Sequence, residues 1–207
     1  MNSEENPIYH ERQRYQLCAV HAINNLVSFS YQYQSVFISS HFFSPIKLQR
    51  PQYDKKDLDL IASQLSDEKD FREKSLFRSL SPSNAYKGWL GLGDYDVSVL
   101  IKAFQSLDLE VVWFDLRKGV DKIDLDDPLF VGMIVNFQPE SVLKKVSSAL
   151  GLTSGRHWKA ISKIQGSFYD LDSEYDSPKA LGSNSDVHLF LKKLVDRSQA
   201  QILLIKK

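Results

Sequence analysis

The run His157-Trp158-Lys159-Ala160-Ile161-Ser162-Lys163-Ile164-Gln165-Gly166-Ser167-Phe168-Tyr169-Asp170-Leu171-Asp172 decides how this chain must fold. Two stretches of strand composition flank Gln165-Gly166, a pair suited to a tight turn, so the segment predicts an antiparallel hairpin. A turn centred there pairs Ile164 with Ser167 and Ile161 with Asp170, and sets His157 opposite Glu174. Asp172 is then the diagonal neighbour of His157 on the same face, roughly 7–8 Å away at the backbone, a gap the two side chains can close. Trp158, Ala160, Ile164, Tyr169 and Leu171 fall on the opposite face, expected to be core, which leaves His157 and Asp172 on the other side. Asp170 shares their face but lies opposite Ile161, so Asp170→Ala is expected to be nearly neutral for chemistry at His157.

Working outward, Leu109 to Asp115 and Leu129 to Asn136 are short apolar runs expected to be central strands, with Asp127-Pro128 closing the connection between them. Residues from Glu140 to Leu150 predict a short helix. Val187, Phe190, Leu191, Leu194 and Val195 share one face of a helix over Asp186 to Arg197, followed by a strand over Gln201 to Ile205. On the N-terminal side, Asp94 is expected to cap a helix bearing Val97, Leu100, Ile101, Phe104 and Leu107. Asp54 caps another, with Leu58, Ile61, Ala62 and Leu65 on one face. Early helices followed by a later antiparallel sheet make an α+β domain. The boundaries expected are a tail over 1–7 and a single domain over 8–207.

Three stretches read less regularly. From Ser28 to Tyr53 the periodicity lapses, predicting an extended surface segment whose aromatics, among them Tyr31, Tyr33, Phe42 and Phe43, either pack on the body or form a docking patch. Ser66 to Lys87 suggests a partly helical arm. Gly88-Trp89-Leu90-Gly91-Leu92-Gly93 has neither the Gly-Lys-Ser/Thr ending nor the preceding apolar strand of a phosphate loop, so nucleotide binding is rejected.

Lys plus Arg number 26 and Asp plus Glu 26, so no net basic field exists to hold nucleic acid. A content of 43% hydrophobic residues suffices to fill a core. The longest apolar runs are too short to span a bilayer, and a soluble protein of the cytoplasm or nucleus is expected. The single cysteine excludes an internal disulfide, and the five histidines lack zinc-site spacing, so neither metal nor other cofactor is expected.

That cysteine, Cys18, stands where a polar segment gives way to Ala19, Ala22, Ile23 and Leu26 at helical spacing. A lone cysteine is most often a small buried hydrophobe. At a helix start, however, unpaired amides and the helix dipole favour the thiolate. Gln13, five residues upstream, is close enough for its amide to turn back beside Cys18 and donate to a developing oxyanion. A helix-start Cys, an upstream Gln, and a downstream His with a carboxylate are equipment for thiol acyl transfer.

Tyr9-His10-Glu11-Arg12-Gln13, Leu17-Cys18-Ala19-Val20-His21-Ala22 with Asn24-Asn25, Gly93-Asp94-Tyr95-Asp96-Val97, His157-Trp158 and Tyr169-Asp170-Leu171-Asp172-Ser173 together resemble the Josephin family of cysteine-dependent deubiquitinases. The resemblance runs from about residue 8 to the C-terminus and is nearest to the short stand-alone members. It implies a papain-like architecture, with Cys18 as nucleophile, His157 as general base, Asp172 as its orienting partner and Gln13 as oxyanion-hole residue. It also implies ubiquitin and ubiquitin conjugates as partners of a monomeric enzyme. The segment over 28–53 is longer than its family counterpart, and Asp172 stands where longer members carry Asn.

Other residues of the matched blocks keep open readings: His21, one helical turn after Cys18, is a competing base or a structural hydrogen bonder, and Trp158 a groove wall or a core residue. His10 and Asn24 read as structural, and His41 and His188 carry no signal. A ubiquitin-binding module with weak turnover, and another papain-like amidase, remain as alternatives to an active deubiquitinase.

Overall fold

The computed structural model describes residues 8–14, 17–37, 52–72, 95–138 and 156–207. The N-terminal tail, His41, the Gly88–Gly93 run, Asp94 and the helix expected around 140–150 lie outside the described residues.

Among those described, six strands form one antiparallel sheet: β1 (Glu110–Trp113), β2 (Phe130–Phe137), β3 (His157–Ile164), β4 (Ser167–Asp170), β5 (Lys179–Gly182) and β6 (Gln201–Lys206), in the order β1-β6-β2-β3-β4-β5. The β3–β4 hairpin pairs Ile164 with Ser167 and Ile161 with Asp170. Gln165 and Gly166 both have positive φ, 50° and 87°, the backbone a type I′ turn demands. A hydrogen bond of 2.9 Å from Leu171 N to Ala160 O carries this register past β4 toward Asp172.

One strand expectation is corrected. β2 is central, but among the described strands β1 pairs only with β6 and forms an edge, with Trp113 49% exposed. Its apolar composition is satisfied by packing Val111 on one side of the sheet and Val112 on the other.

Among the described residues, four α-helices pack with the sheet: α1 (Cys18–Phe37), α2 (Lys55–Arg72), α3 (Val97–Gln105) and α4 (Asn184–Arg197). Helix α1 runs on through Ser28 to Phe37 where a loop was expected; hydrogen bonding continues after the apolar stripe has ended. Asp54 caps α2 as expected, accepting from Lys56 N at 2.7 Å and Asp57 N at 3.1 Å. The cap of α3 is Asp96 rather than Asp94: its carboxylate accepts from Ser98 N at 2.8 Å. Ser183 and Asp186 form a reciprocal capping box on α4.

Both faces of the sheet are covered. Ala22, Ile23 and Leu26 of α1, with Leu100 and Phe104 of α3, pack against Ile134, Trp158 and Ala160. Val187 and Leu191 of α4 pack on the opposite face against Met133, Val135 and Ile161. The face carrying His157 is therefore a second core, because the apolar stripe of α4 needs a partner and finds it there.

Helix α1 seats closely on β2. A methyl group on Gly132 would lie 2.5 Å from Leu26 Cδ1 and 2.7 Å from the carbonyl oxygen of Ile161. Gly132→Ala should therefore cost about 1–3 kcal/mol through overpacking. Urea unfolding reads this as a lower midpoint at unchanged slope; an unchanged midpoint would mean that α1 shifts without cost.

Candidate active site

Cys18 opens α1, His157 opens β3, and Asp172 follows β4 by two residues. Because β3 and β4 are antiparallel, the first residue of one and the exit of the other share an end of the sheet, and α1 packs on β3. All three side chains are buried, at 5%, 2% and 3% exposure. His157 Nε2 donates to Asp172 Oδ1 at 2.7 Å, and the Cys18 sulfur lies close enough to the imidazole to act on its protonation. With Nε2 committed to the carboxylate, Nδ1 is the nitrogen available to sulfur. Phe137 meets the imidazole edge-on, with ring centroids 5.5 Å apart.

Burial lowers the His157 pKa, but hydrogen bonds and charge from Asp172 and Cys18 raise it by more, to about 9. Burial raises the Asp172 pKa, yet the hydrogen bond and charge of His157, the Glu174 amide and Lys159 together hold it below the usual aspartate value. The raised His157 value favours a protonated imidazole near neutral pH, flanked by the Asp172 carboxylate and the Cys18 sulfur.

Gln13 is tied to the loop after β4, next to Asp172. Its backbone N–H donates to Ser173 O at 2.6 Å, and the Ser173 hydroxyl donates to Gln13 Oε1 at 3.3 Å. The second bond orients the amide, so that Nε2 is its donating end. Nearby, His10 Nε2 bonds Tyr175 O at 3.1 Å, and Arg12 pairs with Asp176 at 2.9 Å. Asn25, fully buried on α1, accepts from Glu11 N at 2.6 Å and donates to Leu171 O at 3.0 Å. One amide thereby ties the Gln13 segment and the Asp172 segment to the helix that begins with Cys18. Ser173 and Asn25 stand in the matched blocks but are assigned no role there; a further signal for Asn25 is its place directly before Leu26 of the apolar stripe, where burial obliges a polar residue to find partners.

The competing residues have structural partners. His21 Nδ1 lies 2.7 Å from Glu11 Oε2, and its Nε2 accepts from Arg14 N at 3.3 Å, so both ring nitrogens are engaged. Burial raises the Glu11 pKa, but bonds from His21, Tyr9 and Asn24 more than offset it and hold the carboxyl below its ordinary value. Asn24 also accepts from Gln52 N and Tyr53 N, tethering the entry to α2. Trp158 is 5% exposed within the core, and His188 bonds Ile123 O at 3.1 Å. A cavity of about 700 Å³ opens beside this network, lined by Glu11, Gln13, Leu17, His21 and Tyr53 among others; neither Cys18 nor His157 lines it.

Among the described residues, His157, Asp172 and Glu174 are the one group close enough to share a cation. Their shortest contact, 2.7 Å between Nε2 and Oδ1, has the length of a hydrogen bond, and the two side chains form one.

A family model described as Josephin matches residues 13–206. The chain is similar to Josephin-2 of Homo sapiens, with 32% identity over 202 residues that cover 96% of this chain and 85% of that protein. It is similar to the Josephin-like protein of Drosophila melanogaster, at 32% over 187 residues, 89% of this chain and 67% of that one. It is also similar, at 25% over 181 residues, to the ataxin-3 homolog of Arabidopsis thaliana, half of which it covers (50%).

Proposed function

The chain belongs to the Josephin family, and from that membership we propose that it is a deubiquitinase, a thiol-dependent hydrolase of isopeptide or peptide bonds at the C-terminal glycine of ubiquitin. The observation that supports the reading is the His157–Asp172 hydrogen bond set beside Cys18, all three side chains buried. The Cys18 thiolate attacks the glycine carbonyl carbon, and the carbonyl electrons move onto oxygen, where the Gln13 amide and the Cys18 backbone N–H donate to the oxyanion. Collapse breaks the C–N bond as His157 gives its proton to the departing lysine amine, leaving a thioester. Water, deprotonated by His157, then attacks that thioester, releasing the ubiquitin carboxyl group and restoring the Cys18 thiolate beside a protonated His157. Asp172 holds the imidazole in place through both steps.

The direct test is a ubiquitin carrying an electrophile at its C-terminus. It should label the wild-type protein covalently and leave Cys18→Ala unlabelled, and a panel of diubiquitins should then show which linkages are cleaved. The 5% exposure of Cys18 supports a second reading, a ubiquitin-binding module of weak turnover. Binding of ubiquitin without labelling of wild type would favour it.

Gln13→Ala should lower kcat about 10²-fold with KM little changed, because an oxyanion donor acts where charge develops. Steady-state kinetics on a ubiquitin–lysine isopeptide substrate separates the two constants. A raised KM at full kcat would move Gln13 from the chemistry to substrate recognition.

A further inference from the structure

Behind the candidate catalytic pair lies a second buried pair that the reaction does not use. Lys159 and Asp170 are 3% and 1% exposed, and Lys159 Nζ lies 2.8 Å from Asp170 Oδ2. The same ammonium is 4.0 Å from Asp172 Oδ2, and the other Asp170 oxygen accepts from the backbone N–H of Asp172 at 3.2 Å. Phe137 and Phe190 box in the ammonium, their ring centroids 5.1 and 4.6 Å from Nζ. Lys159 thus stands within reach of two carboxylates, one of which also holds His157.

We propose that Lys159 and Asp170 are positioning residues for His157: Asp170 engages the Lys159 ammonium and the Asp172 amide, keeping Lys159 off the Asp172 carboxylate and leaving that carboxylate to the imidazole. The inference rests on Cys18, His157 and Asp172 being the catalytic groups. Its geometry comes from the hairpin. Lys159 is two residues from His157 on one strand and Asp170 two from Asp172 on the other, so all four project from the same face, where α4 excludes water. In such a dry site an unbalanced ammonium acts strongly on its neighbours. Without the Asp170 charge, Lys159 would turn its full attraction on Asp172 and compete with the imidazolium for it.

The charged groups around His157 set the sign of the effect. Cys18 faces it from α1, and Asp172 and Glu174 from the loop after β4; Lys159 and Asp170 stand behind Asp172, and the exposed Lys179 of β5 pairs with Asp170 in the ladder. Phe137 of β2 and Phe190 of α4 bring no charge. Asp170→Asn keeps an oxygen for the Asp172 amide and removes one negative charge, so the imidazolium becomes harder to maintain.

The test is a histidine-ring NMR titration of His157 with parallel steady-state kinetics, in wild type, Asp170→Asn, and Asp170→Asn combined with Lys159→Met. Asp170→Asn should lower the His157 midpoint by about one pH unit and kcat about 10-fold with KM unchanged. Adding Lys159→Met removes the unbalanced cation and should bring both back toward wild type. A purely structural ion pair would lower stability in Asp170→Asn without moving the midpoint, and that result, or an absence of rescue in the double variant, would overturn the proposal. Should Asp170→Asn fail to fold, Asp170→Glu retains the charge while displacing the carboxylate from the Asp172 amide; it should lower kcat several-fold, and wild-type kcat there would overturn the proposal. The titration needs no ubiquitin, so a protein that titrates as expected yet cleaves no ubiquitin would count against the deubiquitinase reading alone.

Discussion

Cys18→Ala should abolish hydrolysis of ubiquitin conjugates, a loss on the order of 10⁶-fold or to below detection, as removal of a nucleophile does where it acts as one unit with its base. The variant should still fold. Cys18 is at the first residue of α1, so alanine preserves the helix start and removes only a sulfur from a site 5% exposed. Ubiquitin should still bind, because its contact area far exceeds one sulfur atom; binding and thermal unfolding therefore serve as controls. Since the charge and hydrogen bond of Cys18 help raise the His157 pKa to about 9, the imidazole should also titrate at lower pH in this variant. Residual turnover within about 10²-fold of wild type would exclude Cys18 as the nucleophile, since no other cysteine exists to replace it.

Asp172→Ala should lower kcat by about 10³–10⁴-fold, because His157 loses the acceptor that fixes its ring and stabilises its charge. Asp172→Asn should retain part of the activity. The reason lies in how the two oxygens are used: Oδ1 takes both His157 Nε2 at 2.7 Å and Glu174 N at 3.0 Å, so one amide oxygen in that place can satisfy both donors. What the amide cannot supply is charge. In Asp172→Asn the alkaline limb of kcat/KM, set in wild type by His157 near pH 9, should therefore move down toward the ordinary histidine value of 6.5. Equal activity of Asp172→Ala and wild type would remove Asp172 from the mechanism.

The same pair makes stability depend on pH, with opposite signs at its two ends. The His157 pKa is raised from 6.5 to about 9, so its contribution is fully present below 6.5 and is lost as pH rises through 9. The Asp172 pKa is depressed below 3.8, so its contribution is present above 3.8 and is lost as pH falls through the lower folded value.

The sequence by itself determined what depends on near neighbours. Gln165-Gly166 fixes a turn whose two residues must take positive φ, and that turn fixes the whole β3–β4 register, which carries His157 and Asp172 to the same end of the same face. The break from polar to periodic apolar residues fixes Cys18 at the start of α1, and the stripe from Val187 to Val195 fixes α4. Where local signals were ambiguous, the sequence misled. Asp94 and Asp96 are both good caps, and only the backbone hydrogen bond made by Ser98 distinguishes them. The residues after Ser28 have no apolar stripe, yet the helix continues.

The tertiary structure decided what depends on which surfaces are dry. Nothing in the hairpin alone shows that α4 would cover the face of His157, and it is that burial which lets Asp172 and Cys18 act on the imidazole at low dielectric. The same burial changes the meaning of Asp170. On an open strand face it would be a solvated carboxylate with no bearing on His157; under α4 it must find a cation, and it finds Lys159 beside the carboxylate of Asp172. The clamps of Ser173 on Gln13 and of Asn25 between Glu11 and Leu171 join residues more than a hundred positions apart in one case and on three separate segments in the other. Such partners are chosen by the packing of α1 on the sheet, which no local pattern encodes.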